Sequence, residues 1–255
     1  MSKNPPLSTK LPKEFRIATY NINFGETYKI TAPQKTLKAI KAINADVILL
    51  QENTSAWSSY FKMHLKDLYG YQYFKPYHNG GGMGFLSKYP LTTEWYGHSH
   101  IGWDPAWIVS VNTNIGKLQI LNVHLTPPLI TPTNVGFLFR GGFITPDIRY
   151  REMQFYKHQL KPHMSTIIAG DFNEGNSGKA VKYLQSQGFK DAIVRGNIRG
   201  CTWTWYIGLL KLCNLYDHIF YTQALELHDV NVLRAGDSDH YPASADFVAK
   251  HKQTN

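Results

Sequence analysis

Apolar residues recur along this chain in two rhythms. Runs such as FRIATYNI, DVILLQE, GMGFLSKY, AWIVSVNT, KLQILNVHL, STIIAGDF, LYDHIFY and SADFVA are short, rich in β-branched and aromatic residues, and bounded by polar or glycine-containing stretches, the pattern of buried strands. Helical spacing is rarer. APQKTLKAIKAI places Leu37, Ile40 and Ile43 on one helical face. A second helix is predicted over 146–160, with Thr145 as N-cap, Pro146 in its first turn and Pro162 just past its end. A third, near 178–187, follows Asn176 and Ser177 and stops at Gly188, a residue suited to a left-handed cap.

More strands than helices favours two sheets packed face to face with helices outside over a doubly wound parallel sheet. No repeat or low-complexity linker interrupts the pattern, so one domain is expected over 15–249, with tails at 1–14 and 250–255. Two long loops stand out, HNGGG at 78–82 and TPPLITPTNVGFLFRGGFITP at 126–146. Loops of such length in a compact domain are often functional.

Composition narrows the class without naming a task. With 255 residues, 43% hydrophobic and 18% charged, the chain can bury a substantial core and is not of disordered type. Its 27 Lys and Arg against 18 Asp and Glu leave a net charge of +9, which favours polyanions or anionic surfaces as partners. The opening MSKNPPLSTKLPKEF has no apolar core of a signal peptide, and no apolar run approaches the roughly 18 residues that span a bilayer. As given, the chain reads as soluble, cytoplasmic if complete and secreted if trimmed, and a monomer is expected. Cys201 and Cys213 fit either a small disulfide loop or a pair of buried thiols.

Polar residues gather where apolar strands stop. Asn21 and Asn23 follow RIATY, Glu52 follows DVILLQ, His124 follows LQILNV, Asp171 and Asn173 follow TIIAG, Asp217 and His218 follow CNLY, and Ser238, Asp239 and His240 precede the last strand. Each alone is an ordinary turn or capping residue. Six strand ends brought to one rim would crowd acids that a cation must neutralise. Carboxylates and amide oxygens suit Mg²⁺ or Mn²⁺, and the absence of HExxH or paired CxxC argues against structural zinc. Imidazoles beside such a metal can stabilise charge on phosphoryl oxygens while a carboxylate orients water, which is the chemistry of metal-assisted phosphoester hydrolysis.

The ordered set IATYN, LLQEN, NVHL, AGDFNEG, YDHIFY and SDHYP resembles the endonuclease/exonuclease/phosphatase superfamily over about residues 15–249. CTWTW resembles the Thr-Trp element that precedes the YDHIFY strand in that family. The resemblance implies a four-layered α/β sandwich, two mainly antiparallel sheets flanked by helices, with the site at one rim. By motif it assigns the metal to Glu52, with Asn21 and Asp239 near it, and the attacking water to Asp171, steadied by Asn173. His240 would bind phosphate with Asp217 accepting its other ring proton, and His124 would meet the phosphate from the opposite side. Three departures accompany it. Asn53 and Thr54 follow QE where many nuclease members have a basic residue, Asn23 stands where some members place an acid, and the carboxylate partner of His124 has no visible sequence signal.

Three functions remain open at this stage. A nuclease acting on DNA or RNA would use the positive charge, phosphate contacts from Arg149, Arg151, Lys157 and Lys161, and stacking on Trp203, Trp205 or Tyr206. A phosphodiesterase or phosphatase acting on a lipid headgroup or small phosphate would use VGFLFRGGFI and YIGLLKL, where apolar and basic residues adjoin as on a surface touching anionic lipid. A catalytically silent phosphate-binding module is the third, and it has no chemical need for two imidazoles and a water-orienting Asp.

Overall fold

The computed structural model of the chain describes residues 13–24, 33–78, 80–128, 136–198 and 200–250. The two expected tails and residues 129–135 of the second long loop therefore fall almost wholly outside it, as do the side chains of 136–144. The elements are β1 (Phe15–Asn21), α1 (Pro33–Ile43), β2 (Val47–Gln51), α2 (Ser55–His64), β3 (Tyr71–Lys75), β4 (Met83–Ser87), β5 (Leu91–His98), β6 (Pro105–Thr113) and β7 (Gly116–His124). There follow α3 (Gly136–His158), β8 (Ser165–Asp171), α4 (Lys179–Ser186), β9 (Lys190–Asp191), α5 (Ala192–Arg195), β10 (Trp203–Ile207), β11 (Leu210–Asn214), β12 (Asp217–Tyr221), β13 (Leu225–Val232) and β14 (Ala243–Ala249).

Twelve strands form two six-stranded sheets, in the orders β13-β14-β1-β2-β4-β3 and β5-β6-β7-β8-β12-β9. β1, β2, β4 and β12 are buried on both faces, which is why they read as unbroken apolar runs. Between the sheets pack Phe15, Ile17, Leu49 and Phe85 from one and Trp107, Val109, Ile120 and Ile219 from the other. Outside the first sheet, Ile40 and Ile43 of α1 and Trp57 and Phe61 of α2 cover Ala18, Ile48 and Leu86. Outside the second, Met153 and Tyr156 of α3 and Val181 and Leu184 of α4 cover Ile108, Leu121 and Ile168. The result is the expected four-layered α/β sandwich.

Strand direction decides where chemistry can collect. Among the described residues, only β1–β2 and β7–β8 run parallel. β14 is antiparallel to β1, β6 to β7 and β12 to β8. The ends of β1, β2, β7 and β8 thus share one rim with the beginnings of β6, β12 and β14. Just beneath it, Gln51 Nε2 donates to Asn122 Oδ1 at 2.7 Å, tying the two sheets through buried amides whose remaining polar atoms are satisfied by Thr19, Leu50 O and Gly84 O.

Two expectations need correction. α3 begins at Gly136, so Pro146 lies inside it and Thr145 is not an N-cap; its Oγ1 instead accepts from Arg149 Nη1 at 2.8 Å. Proline lacks one N–H and crowds the preceding turn, which is why it marks a helix start far more often than an interior. α2, β3, β5, β9, α5, β10, β11 and β13 were not read from the sequence. Thr54 accounts for one of them: its side chain caps α2 by accepting from Trp57 N, so this departure from the family pattern starts a helix.

A candidate active site of carboxylates and imidazoles

The rim holds nearly every residue that the sequence singled out. Asn21, at the end of β1, donates from Nδ2 to Glu52 Oε1 at 2.9 Å and to Asp171 Oδ2 at 3.0 Å, bridging the sheets. Glu52 follows β2 with φ +61°, and its Oε2 accepts from Phe24 N at 3.0 Å. Burial raises the Glu52 carboxyl above its usual range, opposed by His124 and the Asn21 amide. Asp171 closes β8 directly after Gly170, whose φ is +150° and where a Cβ would stand 1.9 Å from Val123 O. Only glycine allows the parallel neighbour β7 to approach so closely there. Asn173, at φ +52°, donates its N–H to Asp171 Oδ1 at 2.8 Å and its amide to Leu125 O at 2.9 Å.

His240 and Asp217 form a tight pair, Nδ1 to Oδ2 at 2.8 Å, with Nε2 left facing Asp171 Oδ2 at 3.4 Å. Burial depresses the ring's pKa, but Asp217 and Asp171 more than reverse that and lift it to about 10. Burial in turn raises the Asp217 carboxyl, with His240 pulling the other way. Thr202 Oγ1 holds the segment by accepting from Tyr216 N and Asp217 N, at 2.9 and 3.0 Å. Its neighbour Trp203 donates from Nε1 to Asp239 Oδ2 at 3.0 Å, while Asp239 Oδ1 accepts from Asn23 Nδ2 at 3.1 Å.

His124 is held differently. Its Nδ1 donates to Gly80 O at 2.9 Å, and Asp104 Oδ2 stands 3.6 Å from the same nitrogen, outside direct hydrogen-bond reach. Nε2 lies 3.6 Å from Asp171 Oδ2 and 3.9 Å from Glu52 Oε1. Burial lowers this imidazole too, and Asp104, Asp171 and Glu52 together raise it to about 9.

Asp104 is the carboxylate that sequence reasoning missed. Its signal was position: it immediately precedes β6, which is antiparallel to β7, so a strand's beginning lies beside His124 at a strand's end. Other residues leave the site. Arg149, expected to contact substrate, is buried, with its guanidinium bound to Glu174 at 3.0 Å and to Thr126 O at 3.1 Å. Lys157 donates to Gln187, and Lys161 pairs with Glu94. His218 points to the opposite face of β12, between Asp191 and Glu174 O.

The rim fits a divalent cation. Five carboxylates, Glu52, Asp104, Asp171, Asp217 and Asp239, share the rim with two imidazoles, so acidic groups outnumber the basic ones there. Asp217 Oδ1 is buried without a hydrogen-bond partner among the described residues. Asp171, Asp217 and His240 bring ligand atoms within 4.8 Å of one another, a different set from Glu52, Asn21 and Asp239, to which the family resemblance assigns the metal. Hard oxygen donors with at most one nitrogen suit Mg²⁺ or Mn²⁺ better than a thiophilic ion. Cys201 and Cys213 form a disulfide, Cα to Cα 5.3 Å, resolving the choice the sequence left open.

A two-sheet sandwich carrying carboxylates and imidazoles at one rim defines a phosphoesterase-type architecture. Residues 18–240 match the profile of the Endonuclease/Exonuclease/phosphatase family, and the chain belongs to that family. Its fold is similar to humanized D. rerio TDP2, with a TM-score of 0.68 and 17% identity over 92% of this chain and 99% of that one. It is equally similar to an endonuclease/exonuclease/phosphatase from Beutenbergia cavernae DSM 12333, at 0.68 and 17% over 93% and 72%. D. rerio TDP2 complexed with single strand DNA product gives 0.66 and 18% over 92% and 98%. Comparison with curated proteins returned no match.

Proposed function

We propose that the protein is a divalent-metal-dependent phosphodiesterase that cleaves its substrate by in-line attack of water. The observation that carries this reading is the position of Asp171 Oδ2, 3.4 Å from His240 Nε2 and 3.6 Å from His124 Nε2. A carboxylate between two imidazoles can accept a proton from water while both rings donate to phosphoryl oxygens. Glu52, with Asn21 and Asp239, would hold Mg²⁺ or Mn²⁺, which supplies charge neutralisation for the developing phosphorane. Asp171 orients the water and takes its proton, Asn173 fixes the Asp171 carboxylate, and Asp217 keeps His240 in the tautomer that presents Nε2–H. His124 donates from the other side.

Nucleic acid is the first substrate reading, supported by the +9 charge and by the likeness to D. rerio TDP2 solved with single strand DNA product. The burial of Arg149 removes one of its expected phosphate contacts. Trp203 stays near the site, but its indole N–H is engaged by Asp239 and its ring stacks on Tyr216 with centroids 5.0 Å apart, so at most its other face is left for a base. A lipid-headgroup phosphodiester is the second reading, favoured by the exposed apolar tip of the β10–β11 hairpin.

The test is turnover with Mg²⁺ or Mn²⁺ on plasmid DNA, single-stranded DNA, RNA, phospholipid dispersions and bis-p-nitrophenyl phosphate, each with EDTA and with Asp171→Ala. EDTA-sensitive, Asp171-dependent cleavage is expected. Equal rates for wild type and Asp171→Ala on every ester would replace the enzyme reading with a silent phosphate-binding module.

A further inference from the structure

Large apolar side chains left in water are unevenly distributed. Eight of the twelve found among the described residues sit on segments that leave the site rim, including Phe24, Tyr77, Trp103, Trp205 and Leu209. Phe24 follows the end of β1, Tyr77 follows β3 where it pairs with the start of β4, and Ile101 and Trp103 span the turn into β6. Single exposed apolar residues are normal on any protein, but a collar of them around one site marks an interaction surface.

The most prominent part of the collar is the β10–β11 hairpin, a two-stranded sheet separate from the other two. Its base is tied to the site: Trp203 bridges to His240 and donates to Asp239, and Thr204 N donates to Asp239 O at 2.8 Å. The Cys201–Cys213 disulfide closes the same base. Antiparallel pairing of Trp205 with Leu212 and of Ile207 with Leu210 puts Trp203, Trp205, Leu212 and Leu210 on one face. At the tip, Leu209 is 105% exposed and Leu210 61%. On the other face, Tyr206 pairs with Lys211, whose ammonium lies 5.7 Å from the Tyr206 ring centroid.

We propose that this collar, led by the hairpin, docks the protein on an anionic lipid bilayer and so presents the rim to phosphodiesters at the membrane surface. The inference rests on the second substrate reading above. Aliphatic residues at the tip with Trp, Tyr and Lys behind them reproduce the depth order of a membrane interface, where aromatic rings and basic side chains sit at headgroup level. The +9 net charge gives the attraction its sign. A nucleic-acid surface needs a track of cations, and the described hairpin strands carry Lys211 alone.

The full chain is sedimented with phosphatidylcholine vesicles containing phosphatidylglycerol, and with pure phosphatidylcholine vesicles, as wild type and as the double variant Leu209→Ser with Leu210→Ser. Binding to the anionic vesicles is expected, with a blue shift of tryptophan emission, and a loss of about tenfold in the double variant. The variant's melting temperature and its bis-p-nitrophenyl phosphate hydrolysis, which need no membrane, stay at wild-type values. Wild-type protein that remains in the supernatant, or equal binding by both proteins, overturns the proposal. So does a variant that loses single-stranded DNA binding but keeps vesicle binding, or a wild type that is dimeric through the hairpin while the variant is monomeric. Absence of soluble-ester hydrolysis in both proteins strikes the proposed chemistry and leaves the vesicle result to be judged on its own.

Discussion

The two imidazoles of the rim are held by opposite strategies. His240 meets its carboxylate at 2.8 Å, and the backbone N–H of Asp217, which carries that carboxylate, is held by Thr202 Oγ1. His124 gives its Nδ1 proton to a backbone carbonyl at 2.9 Å and feels Asp104 across 3.6 Å. A direct ion-paired hydrogen bond orients a ring and raises its basicity at once, whereas a carbonyl orients it and leaves the charge to a more distant group. The His240 side should therefore fail abruptly when its partner is altered, and the His124 side gradually.

Asp171 serves both rings, so Asp171→Asn should abolish the contrast, lowering kcat by about a thousandfold on any cleaved ester in steady-state assays. Asp217→Asn should come next, with a loss of about a hundredfold, because an amide can leave His240 in the wrong tautomer. Asp104→Asn should cost only about tenfold, since Gly80 O still orients His124. Equal losses for Asp217→Asn and Asp104→Asn would break the comparison.

Acid–base linkage offers a smaller effect. Both rings titrate above the ordinary histidine value of 6.5, at about 9 and about 10. Their stabilisation is complete below the unfolded value and is lost as pH rises through the folded ones. Glu152, buried behind the Asp104 turn and pushed up to about 7, adds the same sign at lower pH. The melting temperature of EDTA-treated protein should thus fall as pH is raised from about 7 to about 10, and His240→Gln should flatten the upper part of that fall. A flat wild-type profile would deny the raised values. The smallest expected effect is that of Thr202→Val, which strands two backbone N–H groups and should cost about 1–3 kcal/mol in urea unfolding.

The same contrast explains what could be read in advance. The pair Asp217 and His240 lies in two motifs, YDHIFY and SDHYP, and both were legible because each stands beside an apolar strand. Asp104 lies in HIGWDPAW, where nothing local separates a buried site carboxylate from a turn aspartate. Arg149 erred in the other direction: a basic helix residue suggests a solvated face, and only packing against α4 shows that it is spent on Glu174. The hairpin strands were hidden for another reason: WTWYI and LKLCN do alternate, but runs of five residues around a tight turn are too short for the alternation to stand out from a loop.

By itself, the sequence pattern determined two packed sheets with helices outside, most of the central strands and the polar residues at their ends, because burial on both faces leaves an apolar run wherever a strand crosses a core; the four-layered form came with the family resemblance. Tertiary structure alone decided which strand beginnings meet which strand ends, and with them the choice of Asp104 for His124, the withdrawal of Arg149 and the apolar collar. Those depend on strand direction and on what covers each surface, and neither leaves a mark on neighbouring residues along the chain.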